Sequence, residues 1–109
     1  MHRKAYLSDV DGVLFGYNDG KPVPLACMEA KEGGWFLFGT ASVELITVVA
    51  ERLGVPCLLI RIVDDDFLEL LVVKEYKTKK EIVELGQTHS KRMSYQSFKE
   101  AVERLIYKI

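Results

Sequence analysis

Two aspartates separated by one residue, Asp9 and Asp11, follow the apolar start Ala5-Tyr6-Leu7. Carboxylates are poor strand formers, so a pair at the end of a hydrophobic strand calls for a reason. In an open α/β sheet, ligands bind just beyond the carboxyl ends of the strands. Asp9 and Asp11 fall at such an edge, and Gly12 lets the backbone turn away. Two acids there can bind a hard cation and divide nucleophilic and acid/base roles between them. The plainer alternative is a strand ending in an Asp-Gly turn.

The elements that would position this pair follow from the pattern of the chain. A first strand is expected over residues 4–9. Asn18-Asp19-Gly20 favours a tight reversal and a small hairpin. Pro24 suits the first position of a short helix over residues 24–32, stopped by Gly33-Gly34. Trp35-Phe36-Leu37-Phe38 has the all-apolar character of a central parallel strand. Ser42 is placed to cap a helix whose inward face is Leu45, Ile46, Val49 and Leu53, closed by Gly54. Strands over residues 56–63 and 67–73, split by Asp64-Asp65-Asp66, predict a hairpin. A helix over residues 79–85 ends at Gly86, and Ser94 caps a final amphipathic helix. The expected order is β-α-β-α-β-β-α-α. It predicts an α/β fold: a mainly parallel, Rossmann-like sheet with one antiparallel edge hairpin, in a single three-layer domain over residues 1–109.

The run Asp9-Val10-Asp11-Gly12-Val13-Leu14 resembles the first motif of the haloacid dehalogenase-like (HAD) phosphohydrolases. The resemblance covers residues 4–60 and implies a HAD-like domain without a cap. It implies a magnesium-dependent phosphatase or phosphotransferase acting on a phosphate ester. Asp9 would be the nucleophile that forms an aspartyl-phosphate, and Asp11 the acid/base. Mg2+ would be held at Asp9 and Asp11. Thr40 stands where the second motif's hydroxyl would hold a phosphate oxygen. Lys77 is chosen for the third motif's lysine from Lys74, Lys77, Lys79 and Lys80. The family's later acidic pair has no counterpart: downstream of Lys80 the acids Glu81, Glu84, Glu100 and Glu103 all lie in helical segments. Asp64-Asp65-Asp66 is therefore either a hairpin turn or the source, through Asp65, of a further metal ligand. A second reading is a catalytically inactive HAD-like module that binds or oligomerises.

Bulk properties narrow the classes. The chain has 109 residues, 49% hydrophobic and 28% charged, with a net charge of −1. This is one ordinary globular core, without the basic excess of a dedicated nucleic-acid binder. The resemblance implies a small phosphorylated substrate as partner, and the apolar run Phe67–Val73, if it lies at a sheet edge, would invite pairing with a second copy of the chain. No apolar run reaches membrane-spanning length and no leader follows Met1, so a cytoplasmic location is expected. Cys27 and Cys57 lack metal or redox spacing and read as buried thiols. Few amides among many Lys, Arg and Glu lean toward a heat-adapted source.

Overall fold

Asp19 and Gly20 carry positive φ angles of 53° and 79° in the computed structural model, which describes residues 12–107, with side chains described as far as residue 104. Left-handed geometry at both central positions matches the twist of paired strands. The turn accordingly closes an antiparallel hairpin of β1 (Gly12–Asn18) and β2 (Lys21–Glu32), with Asn18 opposite Lys21. The hairpin is as expected; its second strand is not. Residues 24–32 form the strand β2, although a helix was predicted there from Pro24. Prolines are tolerated in sheets beside irregularities and where pairing is one-sided. Pro24 meets both conditions and Pro22 the second: the register shifts between Leu14 and Phe15, opposite Pro24, and β3 begins to pair with β2 only at Cys27.

Gly33, at φ 111°, breaks the strand. The expected strand at 35–38 is instead a single 3-10 turn, Trp35–Phe38. A central strand would bury all four side chains, but Phe36 and Leu37 are exposed, and the two buried rings are Trp35 and Phe38, three apart and on one side of the turn. Their centroids lie 4.7 Å apart.

Helix α1 (Ala41–Leu53) starts at Thr40, whose side chain accepts from the Val43 N–H, so Thr40 and not Ser42 is the cap. Gly54 closes it at φ 71°. The strand β3 (Cys57–Ile62) then runs parallel to β2, and β4 (Phe67–Val73) returns antiparallel to it. Asp64 holds that hairpin turn by accepting from the N–H groups of Asp66 and Phe67 at 2.8 and 2.9 Å. Both backbone bonds keep its carboxyl below the usual range. Helix α2 (Lys79–His89) opens on a Thr78/Glu81 capping box and continues through Gly86 instead of stopping there. An unexpected short strand, β5 (Lys91–Ser94), pairs with β4 before α3 (Tyr95–Tyr107). Ser94 caps α3 as expected, accepting from Ser97 N–H at 3.1 Å.

The sheet order is β1-β2-β3-β4-β5. Among the described strands only β2 and β3 are parallel. The expected mainly parallel sheet is thus corrected to a mixed one, because the 24–32 segment is a strand and a hairpin replaces the first crossover. One face of the sheet packs on α1, α2 and the 3-10 turn through Cys27, Cys57, Leu59, Phe38, Val43 and Ile82. The other packs on α3 through Met28, Ala30, Ile60, Leu68, Tyr95 and Phe98. Helices on both sides give three layers in a small α/β domain. No helix among the described residues is long and apolar enough to cross a membrane.

Candidate functional site

Alternation along β2 sorts its side chains by sheet face. Cys27 joins the core under α1, while Met28 and Ala30 join the core under α3. Glu29 and Lys31 therefore share the α1 face, and they meet: Lys31 Nζ lies 3.5 Å from Glu29 Oε2. Their side chains are 18% and 28% exposed respectively, a carboxylate and an ammonium on an inner strand with partial access to water.

The next strand braces this pair. Arg61 is the register partner of Lys31 on β3, and Glu69 partners Arg61 on β4. Arg61 Nε donates to Glu69 Oε1 at 2.8 Å, and its Nη1 donates to the Gly33 carbonyl at 2.8 Å. Trp35 Nε1 donates to the same Glu69 oxygen at 2.9 Å. The Arg61 hydrogen bond is the main reason the Glu69 carboxyl sits below its ordinary range. Arg61 thus ties the turn that ends β2 to the middle of the sheet. On the apolar side of Glu29, Cys27 and Cys57 are buried register partners. Burial pushes the Cys57 thiol up to about 12, and the nearby charges of Cys27 and Glu29 add to the rise.

Of the residues expected to form the site, Thr40, Asp65 and Lys77 are described. Asp9 and Asp11 lie outside the described residues. Gly12, bonded to Asp11, pairs with Met28, the neighbour of Glu29. Thr40 follows a 3-10 turn and not a strand; its Oγ1 caps α1 and lies 3.1 Å from Ser42 Oγ. Asp65 sits exposed in the β3–β4 turn. Lys77 follows the other end of β4. Its backbone N–H donates to Thr47 Oγ1 at 3.1 Å, and its Nζ donates to Glu75 Oε1 at 3.3 Å. Seven residues of β4 separate Asp65 from Lys77, roughly 20 Å of extended chain. Asp65 and Lys77 thus lie beyond opposite ends of that strand.

Glu29 and Lys31 were missed because residues 24–32 were expected to be helical. The signal that could have found them is the Asp19-Gly20 turn. A two-residue loop fixes the register of its hairpin, and counting back from it sets the start of β1 against the Cys27-to-Glu29 stretch.

Among the described residues, no group of three or more His, Cys, Asp or Glu side chains is placed to hold a metal ion. No protein-family model matches the chain, and neither a curated protein nor a solved structure is found to be similar to it.

Proposed function

We propose that this protein hydrolyses phosphate esters with a divalent cation such as Mg2+, phosphodiesters in preference to monoesters, through Glu29, Lys31 and Asp11. The observation that carries the reading is the Glu29–Lys31 pair on one face of β2, largely shielded from water, two residues from each other on an inner strand. Asp11 is added from chain connectivity. It lies outside the described residues and is bonded to Gly12, which pairs with Met28, the neighbour of Glu29.

Each group has a role that its chemistry dictates. The carboxylates of Glu29 and Asp11 supply hard oxygen ligands, the donor type that Mg2+ takes alongside waters and substrate oxygens. The ion, when bound, polarises the phosphoryl oxygen and lowers the pKa of an attacking water. Lys31 donates to a non-bridging oxygen as negative charge gathers there. Arg61, bonded to the Gly33 carbonyl and to Glu69, keeps the end of β2 in place and so positions Lys31.

Charge selects the substrate. A divalent ion and Lys31 against two carboxylates leave a net charge of about +1. That neutralises a phosphodiester, which carries one negative charge; a monoester dianion stays in excess. Attack by water also needs no aspartyl-phosphate, and so does without the separate Thr40 and Lys77 positions.

The test is turnover of bis(4-nitrophenyl) phosphate and 4-nitrophenyl phosphate by the purified full chain with Mg2+ or Mn2+. Diester turnover that stops with chelator and falls at least about 100-fold in Glu29→Gln, Lys31→Met and Asp11→Asn is the expected result, the scale of losing a charge-stabilising group. Undiminished turnover in Glu29→Gln overturns the assignment.

A further inference from the structure

Helix α1 has its core side on Val43, Thr47 and Ala50. Its outer side is not the polar surface such a helix normally presents. Leu45 is 60% exposed, Val49 39% and Leu53 44%. Four-residue spacing advances only about 40° around a helix, so the three form one stripe along it. The acidic side chains of the helix serve elsewhere: Glu44 accepts from the Lys79 N–H at 3.1 Å, and Glu51 accepts from the Tyr76 N–H at 3.2 Å.

We propose that two copies of this chain pair through α1, antiparallel, about a two-fold axis passing beside Val49. The stripe is its own complement. Leu45 and Leu53 stand about 6 Å to either side of Val49 along the helix, so a two-fold rotation there lays Leu45 on the partner's Leu53 and Val49 on the partner's Val49.

Charge fixes the direction. A parallel pair in register would set Arg52 against the partner's Arg52. The antiparallel pair separates these guanidinium groups by about 9 Å along the axis and lays the apolar stem of Arg52 beside the partner's Leu45. Area fixes the strength. The three exposed side chains offer on the order of 250 Å² of apolar surface per copy, and two 13-residue helices at ordinary packing distance bury roughly 1,000 Å² together. That is below a standard stable interface, so the pairing is a weak, reversible one, to be sought from micromolar concentrations upward.

Sedimentation velocity of the full chain across that range tests the association, and Val49→Glu tests its location. The variant changes an exposed position, so thermal unfolding should match wild type while the dissociation constant rises at least about 10-fold. The register is read by mild oxidation of single-cysteine additions. Val49→Cys should crosslink to itself. Leu45→Cys alone should not, and a mixture of Leu45→Cys and Leu53→Cys should. Wild type is the blank, since Cys27 and Cys57 are buried. A monomer at every concentration overturns the proposal, as does a dimer indifferent to Val49→Glu. Leu45→Cys crosslinking to itself as readily as Val49→Cys overturns the antiparallel register.

Discussion

Replacing Gly86 by alanine sets two effects of opposite sign against each other. Gly86 lies inside α2, where alanine is the better helix former by about 1 kcal/mol. Propensity alone therefore raises stability. The site has no room, however: a Cβ on Gly86 would stand 2.3 Å from Cδ2 and Cε3 of Trp35. Ordinary carbon contacts begin near 3.5 Å, so the indole must retreat by about 1 Å. Trp35 is 5% exposed, packed on Phe38, and tethered by its Nε1–H to Glu69 at 2.9 Å. Overpacking of this kind costs about 1–3 kcal/mol, and a strained or lost hydrogen bond to a carboxylate adds about 1–2 kcal/mol. The net expectation, after the propensity gain is set against these costs, is a loss of about 1–4 kcal/mol, or roughly 5–20 °C in Tm for a domain of this size. Circular dichroism gives the Tm. Trp35 is the sole tryptophan of the chain, so its fluorescence reports the same displacement directly. In a Trp35→Leu background the sign should reverse and Gly86→Ala should become neutral or stabilising. An unchanged or higher Tm for Gly86→Ala in the wild-type background refutes the packing argument.

The Glu69 carboxyl is held below its ordinary range, chiefly by Arg61. A depressed folded-state pKa contributes stability that is present above the unfolded value, near 4.3, and is lost as pH falls through the lower folded value. Glu69→Gln should cost about 1–2 kcal/mol at neutral pH, and the gap in Tm between it and wild type should narrow on acidification below about pH 4; a gap constant with pH refutes the link. Cys57 behaves in the opposite sense, because its thiol is pushed up to about 12. Its contribution is complete below the ordinary thiol pKa near 8.5 and declines as pH rises toward the folded value, so Cys57→Ala should flatten the alkaline fall in Tm. Neither buried thiol should react with a disulfide reagent at mildly alkaline pH until denaturant is added, and prompt native labelling of Cys57 would contradict this burial.

Local chemistry made some elements legible from residue order. The Asp19-Gly20 reversal, the Asp64-to-Asp66 hairpin and the Gly54 stop each depend on a few adjacent residues that favour one backbone geometry. Where the reading failed, distant partners decided. Leu45, Val49 and Leu53 have the spacing of a core stripe, yet the sheet is covered by the neighbouring stripe of Val43, Thr47 and Ala50. Both stripes are compatible with a helix, and its rotation is set by what the strands present. Gly86 looked like a helix stop because nothing in its neighbourhood announces that Trp35, 51 positions earlier, needs its bare Cα. The strand β5 has four residues and exists because β4 offers it an edge.

The candidate site was hidden by a choice of period. Read as a helix from Pro24, the segment places Glu29 and Lys31 about 200° apart, on opposite sides of a cylinder, where they share nothing. Read as a strand, it places the same two residues on one face, and their charged ends come within 3.5 Å. The composition of 24–32 points to the helix, since Ala, Met, Glu and Lys favour helices. The choice is made by partners on both sides. β1 is folded back by the Asp19-Gly20 turn, and β3 supplies Leu58, Leu59 and Ile60 to a strand that then pairs along both edges. A sheet able to override helical propensity over nine residues brings a carboxylate and an ammonium together on an inner strand. If Glu29→Gln and Asp11→Asn abolish the same diester turnover and the double variant is no worse than either, the two carboxylates act as one unit across the hairpin. Additive losses would mean that they serve separate sites.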